Sequence, residues 1–421
     1  MANDYSSNFT RKIMDSFLDS FQASRVLSKN VDTQLFQGKF NPSTGESIDI
    51  KRPTDFTTVR TPKGDISGQT KSDIITGKAT ATVQDYFTAF VDYDEADEAI
   101  KMNQLDQLLA PMATRLNTDF ETDYAQFMLK NTGLLSGTVG TALTTWDHVA
   151  GMGAIMQASG VPMDGSWCAA VNPFVQRKLA SDQRSLGGET GAMTANQRAV
   201  ITDNFAGMKV MTATTLGSYT TGAGADRTGA VVGTPVATYS AARNTMTQVI
   251  GVTGFQANLV VAAGETITVA GRHRLNLSTR KVMIDETGAP ILFSATVTET
   301  VTLDGSGAGN LTVTGPAIFE TAGAYNTVSS AIAAGDVVTL GGAASTIIQP
   351  NLFWHKQAFT VASVPIKRLH ATDTIATTED GLQLRVTKDS DFYKNENQVR
   401  IDFRPAYGVL NPFFAGQGYG G

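Results

Sequence analysis

EAIKMNQLDQLLAPMATRLNTDFETDYAQFMLKN, residues 98–131, carries the strongest periodic pattern in the chain. Large apolar residues recur at spacings of three and four, which predicts an amphipathic helix. Proline inside a helix removes a donor and clashes with the preceding turn, although it suits the first turn. We therefore expect a helix break at Pro111, with a short helix ending near Leu109 and a second one from Pro111 to Asn131, roughly 30 Å long. The apolar stripe consists of Leu105, Leu108, Leu109, Met112, Leu116, Phe120, Tyr124, Phe127 and Met128.

Residues 40–93, on the N-terminal side of this helix, predict a long two-stranded ribbon. Residues 47–52 and 79–91 alternate between apolar and polar types, as strands do. The polar stretch between them is rich in glycine and lysine and predicts the tip of a loop. A ribbon with so few apolar residues cannot bury a core alone, so we expect it to lie on a neighbouring subunit. The residues expected at the tip are Lys63, Gly64, Gly68, Lys71 and Gly77.

Residues 9–28 predict an N-terminal amphipathic helix, which Asn8 is placed to cap. Asp15 and Asp19 lie four residues apart on a face away from the apolar stripe. Two interpretations stay open: the helix docks on its own domain, or it is an arm whose two carboxylates contact a partner.

The chain beyond the long helix changes character twice. Residues 145–225 predict mixed α/β structure, with a helix over 146–159, a buried strand over 167–171 and a helix from Pro173 to Ala180. Residues 226–345 hold 19 Thr, 15 Val and 15 Gly but only three Pro, and their short alternating runs predict an all-β barrel or sandwich. Residues 346–421 return to strands mixed with aromatic residues. Residues 226–345 are therefore predicted to be an inserted domain.

Composition excludes several classes of function. Charged residues make up 17% of the 421 residues, against about 25% in an average globular protein. The net charge of −6 argues against a chain whose main task is to neutralise phosphates. A single cysteine excludes an internal disulfide and a multi-cysteine metal cluster. No apolar stretch is long enough to span a membrane, and the polar N-terminus gives no expectation of a cleaved signal peptide.

Three local features resemble functional sites, and each has a structural alternative. Residues 305–309 are glycine-rich like a phosphate loop, but a strand follows them instead of a helix, which favours a hairpin turn. Arg272, Arg274 and Arg280 form a basic cluster that could pair with acids or phosphates, or that keeps an exposed strand edge soluble. Cys168 lies in an apolar run and is expected to be buried and inert.

The order of these parts resembles the HK97-like major capsid proteins of tailed phages, and more closely the coat proteins of short-tailed phages of Salmonella and Shigella, which carry an inserted β domain. The resemblance covers essentially the whole chain, and the inserted region matches less evenly, mainly in SATVTETVT (294–302). The matching stretches are VDTQLFQGKFNPSTGESIDIKRP (31–53), RTPKGDISGQ (60–69), EAIKMNQLDQLLAP (98–111), TDFETDYAQFM (118–128) and PNLFWHKQAF (350–359).

The resemblance implies a structural protein of the virion, not an enzyme, with no cofactor. Its copies would form hexamers and pentamers of an icosahedral shell of T=7 geometry, assembled in the bacterial cytoplasm with a separate scaffolding protein and a portal protein. Double-stranded DNA would lie against the inner face without sequence-specific contacts. Asp15 and Asp19 would contact scaffold, and Arg272, Arg274 and Arg280 would bridge capsomers.

The resemblance also assigns the segments of the chain to α+β domains of the HK97-like fold. These are an N-terminal arm (1–39), an extended loop (40–93), a peripheral domain with a spine helix (94–144), the first part of an axial domain (145–225), an inserted β-barrel domain (226–345) and a return to the axial and peripheral domains (346–421).

Two other classes stay open on the residues alone. Threonine- and glycine-rich β domains often bind sugars, so an enzyme or a carbohydrate-binding protein is one alternative. An encapsulin-type shell, which shares the fold without being viral, is the other, and the inserted β segment argues against it.

Overall fold

The computed structural model describes residues 17–33, 47–52, 56, 58–69, 75–94, 105–185, 201, 204–321, 323–363, 366–368, 373–391 and 396–421. Within these ranges the helices are α1 (17–24), α2 (Leu105–Lys130), α3 (Trp146–Ala158), α4 (Pro173–Ser185) and α5 (Tyr239–Ala242), with 3-10 turns at Ser28–Asn30, Lys356–Ala358 and Pro412–Phe414. No helix of the described residues is long and apolar enough to cross a membrane.

The strands, in chain order, are β1 (Ser47–Arg52), β2 (Gly77–Val83), β3 (Phe87–Asp94), β4 (Leu134–Ser136), β5 (Trp167–Val171), β6 (Asn204–Phe205), β7 (Met208–Thr212), β8 (Tyr219–Thr220), β9 (Thr228–Val231), β10 (Thr247–Thr253), β11 (Val260–Val261), β12 (Thr266–His273), β13 (Leu292–Val297), β14 (Val301–Thr302), β15 (Gly309–Thr314), β16 (Val337–Leu340), β17 (Ile347–Ile348), β18 (Asn351–His355), β19 (Phe359–Ser363), β20 (Thr374–Thr377), β21 (Gln383–Asp391), β22 (Glu396–Phe403), β23 (Pro405–Val409) and β24 (Ala415–Gly418).

The chain forms two compact units. The first comprises Met1–Ile48, Ala81–Ala125 and Phe359–Gly408, and the second Asp49–Thr80, Gln126–Ala358 and Val409–Gly421.

Aromatic side chains form the centre of the first unit. Phe120 of α2 packs edge-on against Phe403 of β22 at 4.9 Å, and Phe21 of α1 meets the same ring at 5.7 Å. The carboxylate of Glu121 accepts hydrogen bonds from the backbone amides of Leu27 (2.7 Å) and Ser28 (3.0 Å), which have no partner within the turn that begins there. The described part of the N-terminal helix is therefore docked on its own unit, as one of the two interpretations expected.

The helix α2 runs unbroken from Leu105 to Lys130 with Pro111 inside it. The expected break at Pro111 and the separate short helix are therefore wrong. Proline removes only the one bond that its own amide would make to the carbonyl four residues earlier, and the bonds on either side hold the helix through that position.

The ribbon expected over 47–91 is also corrected. β1 and β2 are neighbours in a four-stranded sheet of order β1-β2-β23-β19, but β3 belongs to a different sheet of order β20-β21-β22-β3. β3 pairs along its whole length with β22, from Phe87 opposite Phe403 to Asp94 opposite Glu396. The second strand of the ribbon therefore ends at Val83, because the residues after it find a partner about 300 positions away.

A mixed six-stranded sheet of order β4-β24-β18-β5-β7-β6 forms one part of the second unit. All five residues of β5 are buried, as the apolar run over 167–171 predicted. The preceding helix α3 begins at its Thr145 cap, whose hydroxyl accepts from the amide of His148 (3.5 Å). It ends where Gly160 takes a left-handed φ of 87°.

Six strands between Thr228 and Leu340 close into a barrel of order β10-β15-β13-β12-β16-β9, with every neighbouring pair antiparallel. The alternating runs of the sequence at 266–269, 311–313 and 336–340 lie in β12, β15 and β16, and the run at 295–302 is divided between β13 and β14. The buried side chains of the barrel form a continuous apolar cluster, which includes Ile250, Ile267, Val269, Phe293, Leu311 and Val338.

Candidate functional site

The described residues contain no group of three or more His, Cys, Asp or Glu side chains that could hold a metal ion. Cys168 is buried in β5, and burial raises the pKa of its thiol to about 11, so the thiol stays protonated and weakly nucleophilic at neutral pH. Asp304 accepts hydrogen bonds from the amides of Ser306 (2.8 Å) and Ala308 (2.9 Å), so the glycine-rich segment 305–309 is a hairpin turn, not a phosphate loop.

The first candidate surface is the loop tip, residues 58–69, which connects β1 to β2. Lys63, Gly64 and Gly68 lie here, and all three are exposed. Gly64 has a φ of 72°, a conformation that suits glycine in a turn. The carboxylate of Asp65 accepts from the amide of Ser67 (2.9 Å), which lowers the pKa of Asp65 and fixes the loop locally.

The loop tip combines apolar and basic groups. Ile66 is 61% exposed and Val59 is exposed beside Arg60, although apolar side chains of this size are usually buried. Lys71 lies outside the described residues. Gly77 is not part of the tip: it begins β2, and a Cβ there would lie 2.7 Å from the carbonyl oxygen of Arg243. The expectation for Gly77 is therefore wrong, because its small size serves close backbone packing.

The second candidate surface is the acidic sheet face, which consists of the exposed residues Thr88, Phe90 and Asp92 on one side of β3 and of Asp85 before the strand. Phe90 is 74% exposed. A groove of about 350 Å³ runs beside it, lined by β3 and by Gln398, Val399 and Arg400 of β22. β3 is the last strand of its sheet among the described residues. This surface was not predicted from the sequence. A phenylalanine at position 90, among acidic and polar residues of a predicted strand, could have indicated it.

An ion-pair network centred on the buried Asp402 lies on the same side of the sheet as Phe90, because Thr88 pairs with Asp402 and Phe90 with Arg400. Asp402 accepts hydrogen bonds from Arg400 Nε (2.7 Å), from Thr88 Oγ1 (2.8 Å) and from Arg385. Burial acts to raise the pKa of Asp402, but the hydrogen bonds from Arg385, Arg400 and Thr88 outweigh it and lower that pKa. One carboxylate faces two guanidinium groups, and the Arg400 side chain is 53% exposed, so Arg400 adds a positive charge to the exposed face beside Asp85 and Asp92.

The arginines of the basic cluster make most of their contacts with groups of the same subunit. Arg272 makes two hydrogen bonds to the carboxylate of Asp336, at 2.6 and 2.7 Å, and one to Ser330 (2.7 Å). Arg280 lies over the ring of Tyr325, 4.8 Å from its centroid, and donates to the carbonyl of Asn326 (3.0 Å). Bridging between capsomers stays a proposal for these two residues.

Arg274 is fully buried, so the expected contact with another subunit is wrong for this residue. Its Nη2 donates to the carbonyls of Gly133 (2.5 Å) and Ser294, and its guanidinium lies 5.6 Å from the ring centroids of Phe293 and Phe413. Burial lowers the pKa of Arg274 to about 10, which still leaves the side chain charged at neutral pH. Arg274 therefore links the barrel to Gly133, the residue that precedes β4.

Asp19, on α1, is exposed, whereas Phe17 and Phe21 on the same helix are fully buried. Asp15 lies outside the described residues. Of the two carboxylates, Asp19 therefore lies away from the buried apolar face of the helix, as predicted.

Comparison with known proteins gives two sequence matches over the full length. A family model described as P22 coat protein, gene protein 5, matches residues 1–421. A major capsid protein of Acyrthosiphon pisum secondary endosymbiont phage 1 is 32% identical over 426 residues, which cover 100% of this chain and 100% of the relative.

Solved structures give looser matches. A chain of Mycobacterium phage Che8 superposes with a TM-score of 0.46 at 12% identity and covers 93% of this chain and 90% of that chain. The capsid of cyanophage P-SCSP1u superposes with a TM-score of 0.41 at 12% identity, covering 90% of this chain and 84% of that chain. Superpositions of this quality are too loose to support a statement about fold or function.

Proposed function

The chain belongs to the P22 coat protein family and is a major capsid protein of a tailed phage, and from this premise we propose how it builds the shell. Its copies form hexamers and pentamers of an icosahedral procapsid with T=7 geometry and the HK97-like subunit fold. A separate scaffolding protein and a portal protein take part in assembly in the bacterial cytoplasm. The finished shell encloses the double-stranded DNA genome of the phage.

The observation that carries the proposal is the family match over all 421 residues, together with the relative that aligns along its entire length. The family makes the chain a structural protein of the virion, not an enzyme.

In the proposed contact, the loop tip of one copy lies on the acidic sheet face of its neighbour. The loop tip offers exposed apolar side chains with Arg60 and Lys63, and the acidic sheet face offers Phe90 with Asp85 and Asp92. Apolar groups would be removed from water at the centre of the contact while opposite charges meet at its rim. Exposed ion pairs are worth only about 0–1 kcal/mol each, so the strength of a shell comes from many repeated contacts.

The acidic face of the N-terminal helix is the proposed scaffold contact. Asp19 is exposed, and Asp15 lies four positions earlier in the sequence, the spacing at which two residues of one helix share a face. A basic segment of the scaffolding protein would pair with these carboxylates. Changing both residues to Asn should lower scaffold incorporation and make it less sensitive to salt; unchanged incorporation across a salt series would contradict this contact.

The assembly itself is tested with purified protein. The chain alone and the chain mixed with the scaffolding protein are compared by sedimentation and negative-stain electron microscopy. Closed, uniform shells that require the scaffold support the proposal. Soluble subunits that never close into particles, with or without scaffold, would contradict it.

A further inference from the structure

A basic apolar surface lies at one end of the six-stranded sheet; we define it as Phe174, Arg177, Lys178 and Ile347. Phe174 and Ile347 are each 75% exposed, the highest exposure among the large apolar side chains of the described residues. Arg177 and Lys178 follow Phe174 by three and four positions on α4, so they lie on the same side of the helix, and both are exposed.

A side-chain hydrogen bond joins the two halves of this surface. Asn172 Nδ2 donates to Gln349 Oε1 (2.5 Å), two residues from Phe174 on one side and two from Ile347 on the other. Asn172 Oδ1 also caps the start of α4 by accepting from the amide of Phe174 (2.9 Å). The surface is therefore held in place before any partner arrives, which reduces the entropy lost on binding.

Asp182 is the acidic residue of α4, and its carboxylate already has a hydrogen-bond partner within the subunit. Its carboxylate accepts a hydrogen bond from the amide of Trp146 (2.6 Å). A partner of the basic apolar surface must therefore bring its own negative charge together with an apolar side chain.

The acidic hairpin, residues 281–291, has this complementary character. Ile284 is 61% exposed and is followed by the exposed residues Asp285 and Glu286. Asp285 accepts from the amides of Thr287 (2.9 Å) and Ala289 (2.8 Å) and from the hydroxyl of Thr287 (2.7 Å). These bonds, led by the one from the hydroxyl, lower the pKa of Asp285 and make the turn rigid.

The base of the acidic hairpin is fastened to the C-terminal end of α3. Asn276 Nδ2 donates to the carbonyl of Ala158 (2.7 Å), and the amide of Leu277 donates to the carbonyl of Ser159 (3.0 Å). The segment after Ser159 connects α3 to the N-terminal end of β5, which begins at Trp167. Phe174 instead lies just beyond the C-terminal end of β5, which ends at Val171.

The two surfaces are therefore associated with opposite ends of β5. Ile347 agrees with this placement, because β18 is antiparallel to β5 and begins beside its final residues, with Leu352 opposite Ala170. A subunit whose two complementary surfaces lie at opposite ends can bind a copy of itself head to tail, and such contacts form a ring when the rotation between copies closes and a filament when it does not.

We propose that the acidic hairpin of one copy binds the basic apolar surface of the next copy in the same capsomer. Ile284 packs against Phe174 and Ile347, while Glu286 pairs with Arg177 or Lys178. The proposal rests on the proposed assembly of copies into a shell, and it adds a ring contact separate from the one between the loop tip and the acidic sheet face.

Disulfide crosslinking in assembled shells tests the contact. The double variant Ile284→Cys/Ile347→Cys is assembled, oxidised and run on a non-reducing gel. A head-to-tail contact gives a ladder of covalent multimers up to hexamers. The matched control Val249→Cys/Ile347→Cys, which places one cysteine on an exposed position of β10, should stay monomeric. Native Cys168 is buried and gives no background.

Electron microscopy of the same samples separates the possible failures. Normal shells without a ladder, or with only dimers, would overturn the ring contact and leave the proposed function standing. Absence of shells in the wild-type chain would instead count against the proposed function.

A charge exchange supplies a second measurement. Glu286→Lys and Lys178→Glu should each raise the critical concentration for assembly about two- to fivefold, the effect of losing one exposed ion pair per contact. The combined variant should return towards the wild-type value. Single variants without effect, or a combined variant with additive losses, would overturn the pairing.

Discussion

Gly307 and Gly305 occupy the same hairpin turn, but the structure requires glycine only at Gly307. Gly307 has a φ of 70°, and a Cβ there would lie 1.8 Å from the carbonyl oxygen of Phe255. Gly305 has open space where a Cβ would be. Alanine is strained at a positive φ, and here it would also displace backbone of the barrel.

Gly307→Ala is therefore expected to lower the free energy of unfolding by more than about 1 kcal/mol. Gly305→Ala, the matched control, should change it by less than about 0.5 kcal/mol. Urea denaturation of the purified subunit measures both. Equal losses in the two variants would show that the turn does not depend on the conformation of Gly307.

Asp402 gives the first unit a dependence on pH. Because its pKa is lowered in the folded state, its contribution to stability is complete above the pKa of an unfolded aspartate, about 3.9, and is lost as the pH falls through the lower folded value. Asp402→Asn leaves Arg385 buried without its anion and should cost about 3 kcal/mol at neutral pH.

The difference between Asp402→Asn and the wild type should shrink as the pH falls from about 4 towards 2. Denaturant titrations across this range measure the free energy of unfolding of both proteins. A difference that stays constant with pH would mean that Asp402 acts through packing and not through its charge.

Sequence patterns identify residues whose role is local and miss those whose partners are distant. The turn at 305–309 and the inert Cys168 follow from their immediate neighbours in the chain. Arg274 does not: its carbonyl partner at Gly133 lies 141 positions away, so a charged residue beside a strand gave only the expectation of an exposed surface.

Elements are predictable from sequence where their own periodicity sets them. The strand over 167–171, the helix over 146–159 and the end of the long helix near Asn131 agree with the structure to within a residue or two. The long helix across Pro111 and the division of residues 77–94 between two sheets were missed. Both depend on the stability that neighbouring elements add, which no local pattern contains.

The loop between β1 and β2 carries an element-scale prediction. Replacing residues 61–68 with a short Gly/Ser linker should leave a folded, soluble subunit that fails to close shells, because the strands remain while the proposed intersubunit contact is lost. Circular dichroism and sedimentation measure the two properties.

A same-length Gly/Ser replacement of residues 61–68 is the matched control for this loop. It keeps the reach of the loop but removes its apolar and basic side chains, so it should also fail to assemble. Normal shells from either variant would contradict the role given to the loop tip.

On the scale of the whole molecule, the six described strands of the barrel all lie within residues 228–340, and the barrel has an apolar core of its own. Contacts with the rest of the second unit, such as the Gln417 Nε2 bond to the carbonyl of Gly264 (2.9 Å), add to its stability. Residues 226–345 expressed alone should therefore give dispersed amide signals in NMR and a cooperative thermal transition, at a temperature below that of the full chain. Collapsed amide signals without a transition would show that the barrel is ordered only by its surroundings.

The central claim is that copies of this chain form a closed shell in which the loop tip of each copy lies on the acidic sheet face of a neighbour. A subnanometre electron cryomicroscopy reconstruction of particles assembled from the purified chain and its scaffolding protein tests both parts in one measurement. The account predicts a closed T=7 shell with density for residues 58–69 over Phe90 and Asp92 of the adjacent subunit. A shell in which that face is bare, or is covered by another segment, would contradict it.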